Sequence, residues 1–127
     1  MRIALEAEAV LGILTLSETG SVELISSEVL VFEIGYNLNP VRREFALQAL
    51  STSNAIVSMS ESLEKRAAGL VARGFKPLDA LHLASAETAQ AQLFCTCDDR
   101  LLKKAKLQPD LTIRVVSPVE AIEEISQ

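Results

Sequence analysis

Acidic side chains at three points of the chain are the residues best suited to chemistry. Asp79 and Asp98 lie in KPLDALHLASAETAQAQLFCTCDDR, which runs from Lys76 to Arg100, and Glu33 lies in SSEVLVFEIG. Hard cations such as Mg²⁺ prefer oxygen ligands, commonly a few carboxylates together with several waters. A cation held in this way lowers the pKa of a bound water and stabilises charge that develops on a phosphodiester. If the fold brings these three carboxylates together, they predict a metal site.

Each of these acids also has an ordinary structural explanation. Asp79 falls in the first turn of a predicted helix, where the helix dipole favours a negative charge. Asp98, or Asp99 beside it, would cap the helix that is predicted to begin near Arg100. Glu33 would be a solvent-exposed helix residue. The spacing of the acids therefore leaves both explanations open.

Other polar residues lie close to these acids in the sequence. His82 lies three residues after Asp79, on the same broad side of the predicted helix, where it would either hydrogen-bond near the site or pack in the core. It is the only histidine, and no G-x-S-x-G segment accompanies it, which argues against a hydrolase triad. Arg100, Lys103 and Lys104 follow the second acidic segment. They would either contact phosphate groups of a ligand or form a solvated helix face.

The composition is that of a folded globular protein. The chain has 127 residues, of which 49 % are hydrophobic and 23 % are charged, so we expect residues 1–127 to form a single domain with its own core. The net charge of −5 argues against a protein that binds polyanions through a broad basic surface. It does not exclude an enzyme that acts on nucleic acid, because carboxylates that hold a metal count as negative until the metal binds.

The two cysteines and the hydropathy pattern indicate the cellular compartment in which the protein is expected. Cys95 and Cys97 are the only cysteines, and their spacing fits neither a four-ligand zinc site nor an easy disulfide. We therefore expect reduced thiols in a cytoplasmic protein. No stretch approaches the ~20 apolar residues of a membrane span, so no membrane association is expected.

Strand patterns alternate with helix patterns along most of the chain. The first element is predicted to be a helix, because Ile3, Ala7, Val10, Leu11 and Leu14 recur at spacings of three and four. Short strands are predicted near residues 22–25, 55–57, 93–95 and 113–116, with helices between and after them. This order predicts a three-layer α/β/α fold, in which a parallel sheet is covered by helices on both faces. Ligands of such sheets lie outside the carboxyl ends of the strands.

These motifs resemble the PIN domain family, the nuclease fold of VapC-type toxins. LDALHLASA is similar to the segment that carries the family's third acid, here Asp79, and TCDDRLL to the segment of the fourth, here Asp98. LISSEVLVFEIG resembles the segment of the second acid, with Glu33 at the matching position. Thr96 matches a hydroxyl position of the family, where it would orient the Asp98 carboxylate. The likeness covers nearly the whole chain, and its second half is the more specific part.

The resemblance implies a ribonuclease that depends on Mg²⁺ or Mn²⁺ and is often paired with an antitoxin protein. RNA is then the expected substrate, an antitoxin is a candidate partner, and a homodimer is left open. The acids that would hold the metal are Glu33, Asp79 and Asp98. The residues that would support these acids are Thr96, Asp99 and His82. The residues that would contact RNA are Arg100, Lys103 and Lys104.

The first residues depart from the family pattern. Family members begin with a central strand that ends in an aspartate, the first metal ligand, whereas this chain opens with MRIALEAEAV, which is predicted to be helical. Glu6 and Glu8 would then lie on a helix rather than at a strand tip, and we leave them out of the site. The sequence thus predicts a PIN-like fold that lacks its N-terminal strand, with reduced stability and exposed strand edges. The alternative to an active ribonuclease is a truncated, catalytically weak protein that acts as a binding module.

Overall fold

A single parallel sheet with flanking helices organises the computed structural model, which describes residues 1–6, 22–51, 53 and 55–125. The strands within these residues are β1 (Arg2–Leu5), β2 (Glu23–Ser27), β3 (Ala55–Val57), β4 (Leu93–Cys95) and β5 (Arg114–Val116). The helices are α1 (Glu28–Gly35), α2 (Pro40–Leu50), α3 (Glu61–Ala72), α4 (Pro77–Thr88), α5 (Asp99–Lys106) and α6 (Pro118–Ile125). None of these helices is long and apolar enough to cross a membrane.

β1 lies at the centre of the sheet, whose strand order is β3-β2-β1-β4-β5. Ile3 pairs with Leu24 of β2 on one side and with Leu93 of β4 on the other, both in parallel register. The prediction that the N-terminal strand is missing is therefore wrong, and so is the expectation that its absence exposes the edges of the neighbouring strands. The predicted helix does not include Ile3. Its remaining positions, like Glu8, lie outside the described residues.

Burial on both faces explains why the sequence conceals β1. Ile3 and Leu5 pack into the core on one side of the sheet, and Ala4 packs into the core on the other. Three successive apolar residues show no period-two alternation, and this strand has only four residues. Pairing with two neighbouring strands, which the local sequence does not encode, decides the structure here.

The sheet separates two hydrophobic cores, as the predicted three-layer fold requires. On one face the cluster of buried side chains includes Leu70 of α3 and Leu83 of α4, and α5 also contributes to it. On the other face the cluster includes Leu30 of α1 and Leu50 of α2, with a contribution from α6. All strand pairs are parallel, so the predicted fold class is confirmed.

Helix caps join two strand ends directly to the helices that carry acids. The hydroxyl of Ser27, the last residue of β2, accepts a hydrogen bond from the backbone N–H of Leu30 at 3.0 Å and so starts α1. The carboxylate of Asp98 accepts from the N–H groups of Arg100 and Leu101 and so starts α5 shortly after β4. Both connections lie at the carboxyl edge of the sheet.

Candidate active site

One cavity at the carboxyl edge of the sheet is lined by four carboxylates. Its volume is about 550 Å³, and Glu6, Glu33, Asp79 and Asp98 all contribute to its wall. The structure therefore brings the three predicted metal ligands to one place. Glu6 is a fourth acid that the sequence interpretation left out. The roles of these residues in binding or catalysis remain predictions.

Glu6 sits at the tip of the central strand, directly after β1. Its backbone N–H donates to the carbonyl of Cys95 at 2.9 Å, which extends the pairing of β1 with β4. Its carboxylate accepts a hydrogen bond from the hydroxyl of Thr96. The reason for leaving Glu6 out of the site is therefore wrong, because Glu6 directly follows a strand and does not lie on a helix. Glu6 occupies the strand-tip position at which the family resemblance leads us to expect an aspartate.

Thr96 links the tips of β1 and β4. It is only 1 % exposed, and its hydroxyl donates to Glu6 and accepts from the backbone N–H of Asp98 at 3.0 Å. The hydroxyl thus contacts the Glu6 carboxylate and the Asp98 backbone, whereas the prediction placed it against the Asp98 carboxylate. Asp98 both caps a helix and lines the cavity, so its structural and functional explanations are compatible.

Glu33 is held by a buried histidine. The Nε2 atom of His82 lies 3.1 Å from Oε2 of Glu33, and the His82 side chain is 2 % exposed against 23 % for that of Glu33. The other neighbours of the imidazole include Phe94, whose ring centroid is 6.1 Å away. His82 therefore packs in the core and also supports an acid of the cavity, which combines the two explanations that the sequence left open.

The acids disfavour one another's ionisation. Burial is the main cause that raises the pKa of the Glu6 carboxyl. The hydrogen bond from Thr96 lowers this pKa, and the negative charge of Glu33 raises it further. Burial also raises the pKa of the Asp79 carboxyl, and the charge of Asp98 is the next largest cause. A cation in the cavity would offset both the desolvation and the repulsion.

The donor set fits a hard divalent cation in its chemistry. All four groups offer carboxylate oxygens, which suit Mg²⁺ and Mn²⁺ rather than the thiolate and imidazole sites that select softer metals. Among the residues that the structure describes, no three Asp, Glu, His or Cys side chains form a group that would hold one ion. The four carboxylates therefore suit an ion that binds one or two of them directly and retains several waters.

Two of the three predicted RNA-binding residues lie beside the acids. Arg100 and Lys104 line a cleft of about 160 Å³ that shares Asp79 and Asp98 with the larger cavity. Lys103 lines neither the cavity nor the cleft. The basic stretch of α5 is thus divided between the site and the surface around it.

Two cations near the acids were not predicted, and one predicted supporting acid lies elsewhere. Arg42 of α2 lines the cavity, and Lys76, which precedes α4, lines the cleft. Arg42 lies in a short charged run nine residues after Glu33, so only the fold places it at the acids, whereas Lys76 lies three residues before Asp79 in the sequence. Asp99 is exposed and lines neither space, although it directly follows Asp98.

A parallel α/β sheet with a polar cavity at its carboxyl edge defines the general class of this protein. Within that class, the sequence matches the PIN domain family over residues 4–107. The chain belongs to the PIN domain family. The match includes the last two residues of β1 and all four acids of the cavity.

Solved structures with a similar fold come from bacteria and an archaeon. VapBC2 from Rickettsia felis, bound to a DNA fragment from their promoter, has a TM-score of 0.65 and 13 % identity over 92 % of this chain and 98 % of that chain. PAE2754 from Pyrobaculum aerophilum has a TM-score of 0.67 and 14 % identity over 99 % and 90 %. VapBC-1 from nontypeable Haemophilus influenzae has a TM-score of 0.64 and 10 % identity over 94 % and 99 %. At these identities the likeness shows the fold. No curated protein matches the sequence significantly.

Proposed function

We propose that this chain is a divalent-cation-dependent ribonuclease that hydrolyses RNA phosphodiester bonds. The proposal depends above all on the cavity lined by Glu6, Glu33, Asp79 and Asp98 at the carboxyl edge of a PIN domain. Like charges gathered in a half-buried space oppose folding, as the raised pKa values of Glu6 and Asp79 indicate. Arrangements of this kind are concentrated at functional sites, which favours a catalytic role over a structural one.

The four carboxylates would hold Mg²⁺ or Mn²⁺, and the bound ion would stabilise the charge that develops on the phosphodiester. In the reaction a bond forms between a water oxygen and phosphorus, and one ester P–O bond breaks. A carboxyl with a raised pKa, Glu6 or Asp79, suits a group that accepts the proton of the attacking water. His82 and Thr96 would keep their acidic partners in place.

We also propose that the chain acts as the toxin of a toxin–antitoxin pair. Large apolar side chains are exposed on α1 and α2 and in the loop between them: Phe32 is 61 % exposed, Tyr36 71 %, Val41 77 % and Phe45 53 %. Tyr36 also lines the acidic cavity, so a protein that covers this face would obstruct the cavity. Two of the similar structures are VapBC proteins, which supports an antitoxin as the partner.

The test is cleavage of a labelled RNA with Mn²⁺ and with EDTA, using two neighbouring acids as a matched pair. Asp98→Asn removes a charge from the cavity but keeps a good helix cap, because asparagine caps as well as aspartate does. Asp99→Asn removes the same charge one residue away, outside the cavity. We expect Asp98→Asn to lower the cleavage rate on the order of 100-fold and Asp99→Asn to change it less than about twofold. Equal effects of the two substitutions would contradict the proposed site.

A binding module that cuts weakly is the second candidate. Two observations support it. Glu6 stands where the family resemblance leads us to expect an aspartate, and no three acids among the described residues form a group ready to hold an ion. Tight binding of Mn²⁺ and of RNA, each measured separately, would favour this candidate if the labelled RNA is not cleaved in Mn²⁺.

A further inference from the structure

The basic residues of this acidic protein are unevenly paired. All 12 Lys and Arg residues lie in the described part of the chain. Seven of them form an ion pair with a described carboxylate. The five that form none with a described carboxylate are Arg42, Lys76, Arg100, Lys103 and Lys104.

Four of these five cations surround the acidic site. Arg42 lines the cavity, whereas Lys76, Arg100 and Lys104 line the cleft. The cavity and the cleft share Asp79 and Asp98 in their walls, and we call the two spaces together the depression. Of the other eight basic side chains, only Lys103 lacks a described acidic partner. Cations that lack such a partner are therefore concentrated at the acidic site.

One of the four cations has a structural task. The Nζ of Lys104 donates to the carbonyl of Gly74 at 2.6 Å and lies 5.9 Å from the centroid of the Phe75 ring. Gly74 has a φ of +101°, so this turn depends on a backbone shape that other residues rarely adopt. Lys104 adds charge to the cleft but also fixes the turn before α4. The cations with no such contact, Arg42, Lys76 and Arg100, are the informative ones.

We propose that a polynucleotide strand lies along this depression, with one phosphate at Arg42 and another at Lys76 and Arg100, on opposite sides of the phosphodiester over the acids. This inference rests on the proposed function, since it assigns the path of the substrate to the same site. The cleft holds the volume of about five water molecules at ~30 Å³ each, which is enough for a phosphate group. Phosphate contacts of this kind position a strand without reading its sequence. The strand would be held by cations on both sides and cut between them.

The experiment measures binding separately from cleavage. A fluorescently labelled single-stranded RNA of about ten nucleotides is titrated with the full chain in EDTA, with anisotropy read from 50 to 200 mM NaCl. The variants are Arg42→Gln, Lys76→Gln and Arg100→Gln, and the matched control is Lys103→Gln, a cation of α5 outside the depression. Each lost phosphate contact reduces the slope of log affinity against log salt by about 0.7 for a single strand. Over this fourfold range of salt, that difference amounts to about 2.6-fold in affinity.

We expect the three depression variants to bind more weakly at 50 mM NaCl and to show the smaller salt slope, while Lys103→Gln matches the wild type. A wild type that binds with these slopes but does not cleave RNA in Mn²⁺ would support the strand path and contradict the ribonuclease. A wild type that cleaves while all four variants bind alike would overturn the strand path and leave the ribonuclease intact. Absence of RNA binding by the wild type would also overturn the path.

Discussion

Replacing Thr96 with valine tests whether the tips of β1 and β4 form one structural unit. Valine has nearly the same shape as threonine but lacks the hydroxyl. The substitution removes the hydrogen bond that Thr96 donates to the Glu6 carboxylate and the one that it accepts from the Asp98 backbone. Thr96 is 1 % exposed, so water cannot readily reach the buried site and replace the lost hydroxyl.

The expected loss of stability follows from these two contacts. A hydrogen bond to a charged group contributes about 1.5–3 kcal/mol and one between neutral groups about 0.5–1.5 kcal/mol. Thr96→Val should therefore lower the free energy of unfolding by about 2–4 kcal/mol. For a chain of this size, at roughly 3–5 °C per kcal/mol, the Tm should fall by about 6–20 °C.

Thermal unfolding at pH 7 in EDTA, followed by circular dichroism, measures this loss. Thr96→Ser is the control, because serine keeps the hydroxyl and loses one methyl group, which costs about 1 kcal/mol. We expect the valine variant to melt clearly below the serine variant. If valine melts at or above serine, the hydroxyl does not join the two strand tips and the placement of Glu6 at the site is in error.

Three further predictions concern the acids, the histidine and an ion-pair network. In EDTA, the wild type should lose stability from pH 4 to pH 7 relative to a Glu6→Gln/Asp79→Asn double variant, measured by thermal melts across that range. A raised pKa means that the folded form binds the proton more tightly, so its stabilising contribution is present below the ordinary pKa and disappears as the pH rises through the raised value. A flat difference would contradict the burial of these acids. His82→Leu should weaken Mn²⁺ binding in calorimetry about 10-fold or more, because Glu33 loses its hydrogen bond with His82, and unchanged affinity would remove His82 from the site. Arg66→Met should cost about 1–3 kcal/mol in urea unfolding without affecting cleavage, because it leaves Glu87, whose side chain is 11 % exposed, without its guanidinium; an unchanged urea midpoint would contradict it.

Local chemistry made much of the fold predictable. Asn39 followed by Pro40 predicts the start of α2, and the structure shows Asn39 accepting from the N–H groups of Val41 and Arg42. Short apolar runs bounded by polar residues predict β3 and β4 at their observed bounds, Ala55–Val57 and Leu93–Cys95. These elements have signals within a few residues of their ends, so a single sequence is sufficient to place them.

β1 and Glu6 were missed because their signals are not local. The strand is apolar on both faces, and the helical spacing from Ile3 onward competes with it in the sequence. One signal was present, since an apolar run followed by an acid occurs in IALE as it does in LFCTCD. Arg42 lines the cavity through the packing of α2, which the local sequence does not encode, whereas Lys76 lies three residues before Asp79, a local signal that the prediction did not use.

In the proposed site, Glu6 joins Glu33, Asp79 and Asp98 in holding a divalent cation. Calorimetric titration of Mn²⁺ into the wild type, Glu6→Gln and Asp99→Asn measures this role without RNA or catalysis. We predict that Glu6→Gln weakens Mn²⁺ binding on the order of 10–100-fold while Asp99→Asn binds as the wild type does. Equal Mn²⁺ affinity of Glu6→Gln and the wild type, or a wild type that binds no Mn²⁺, would contradict this role of Glu6.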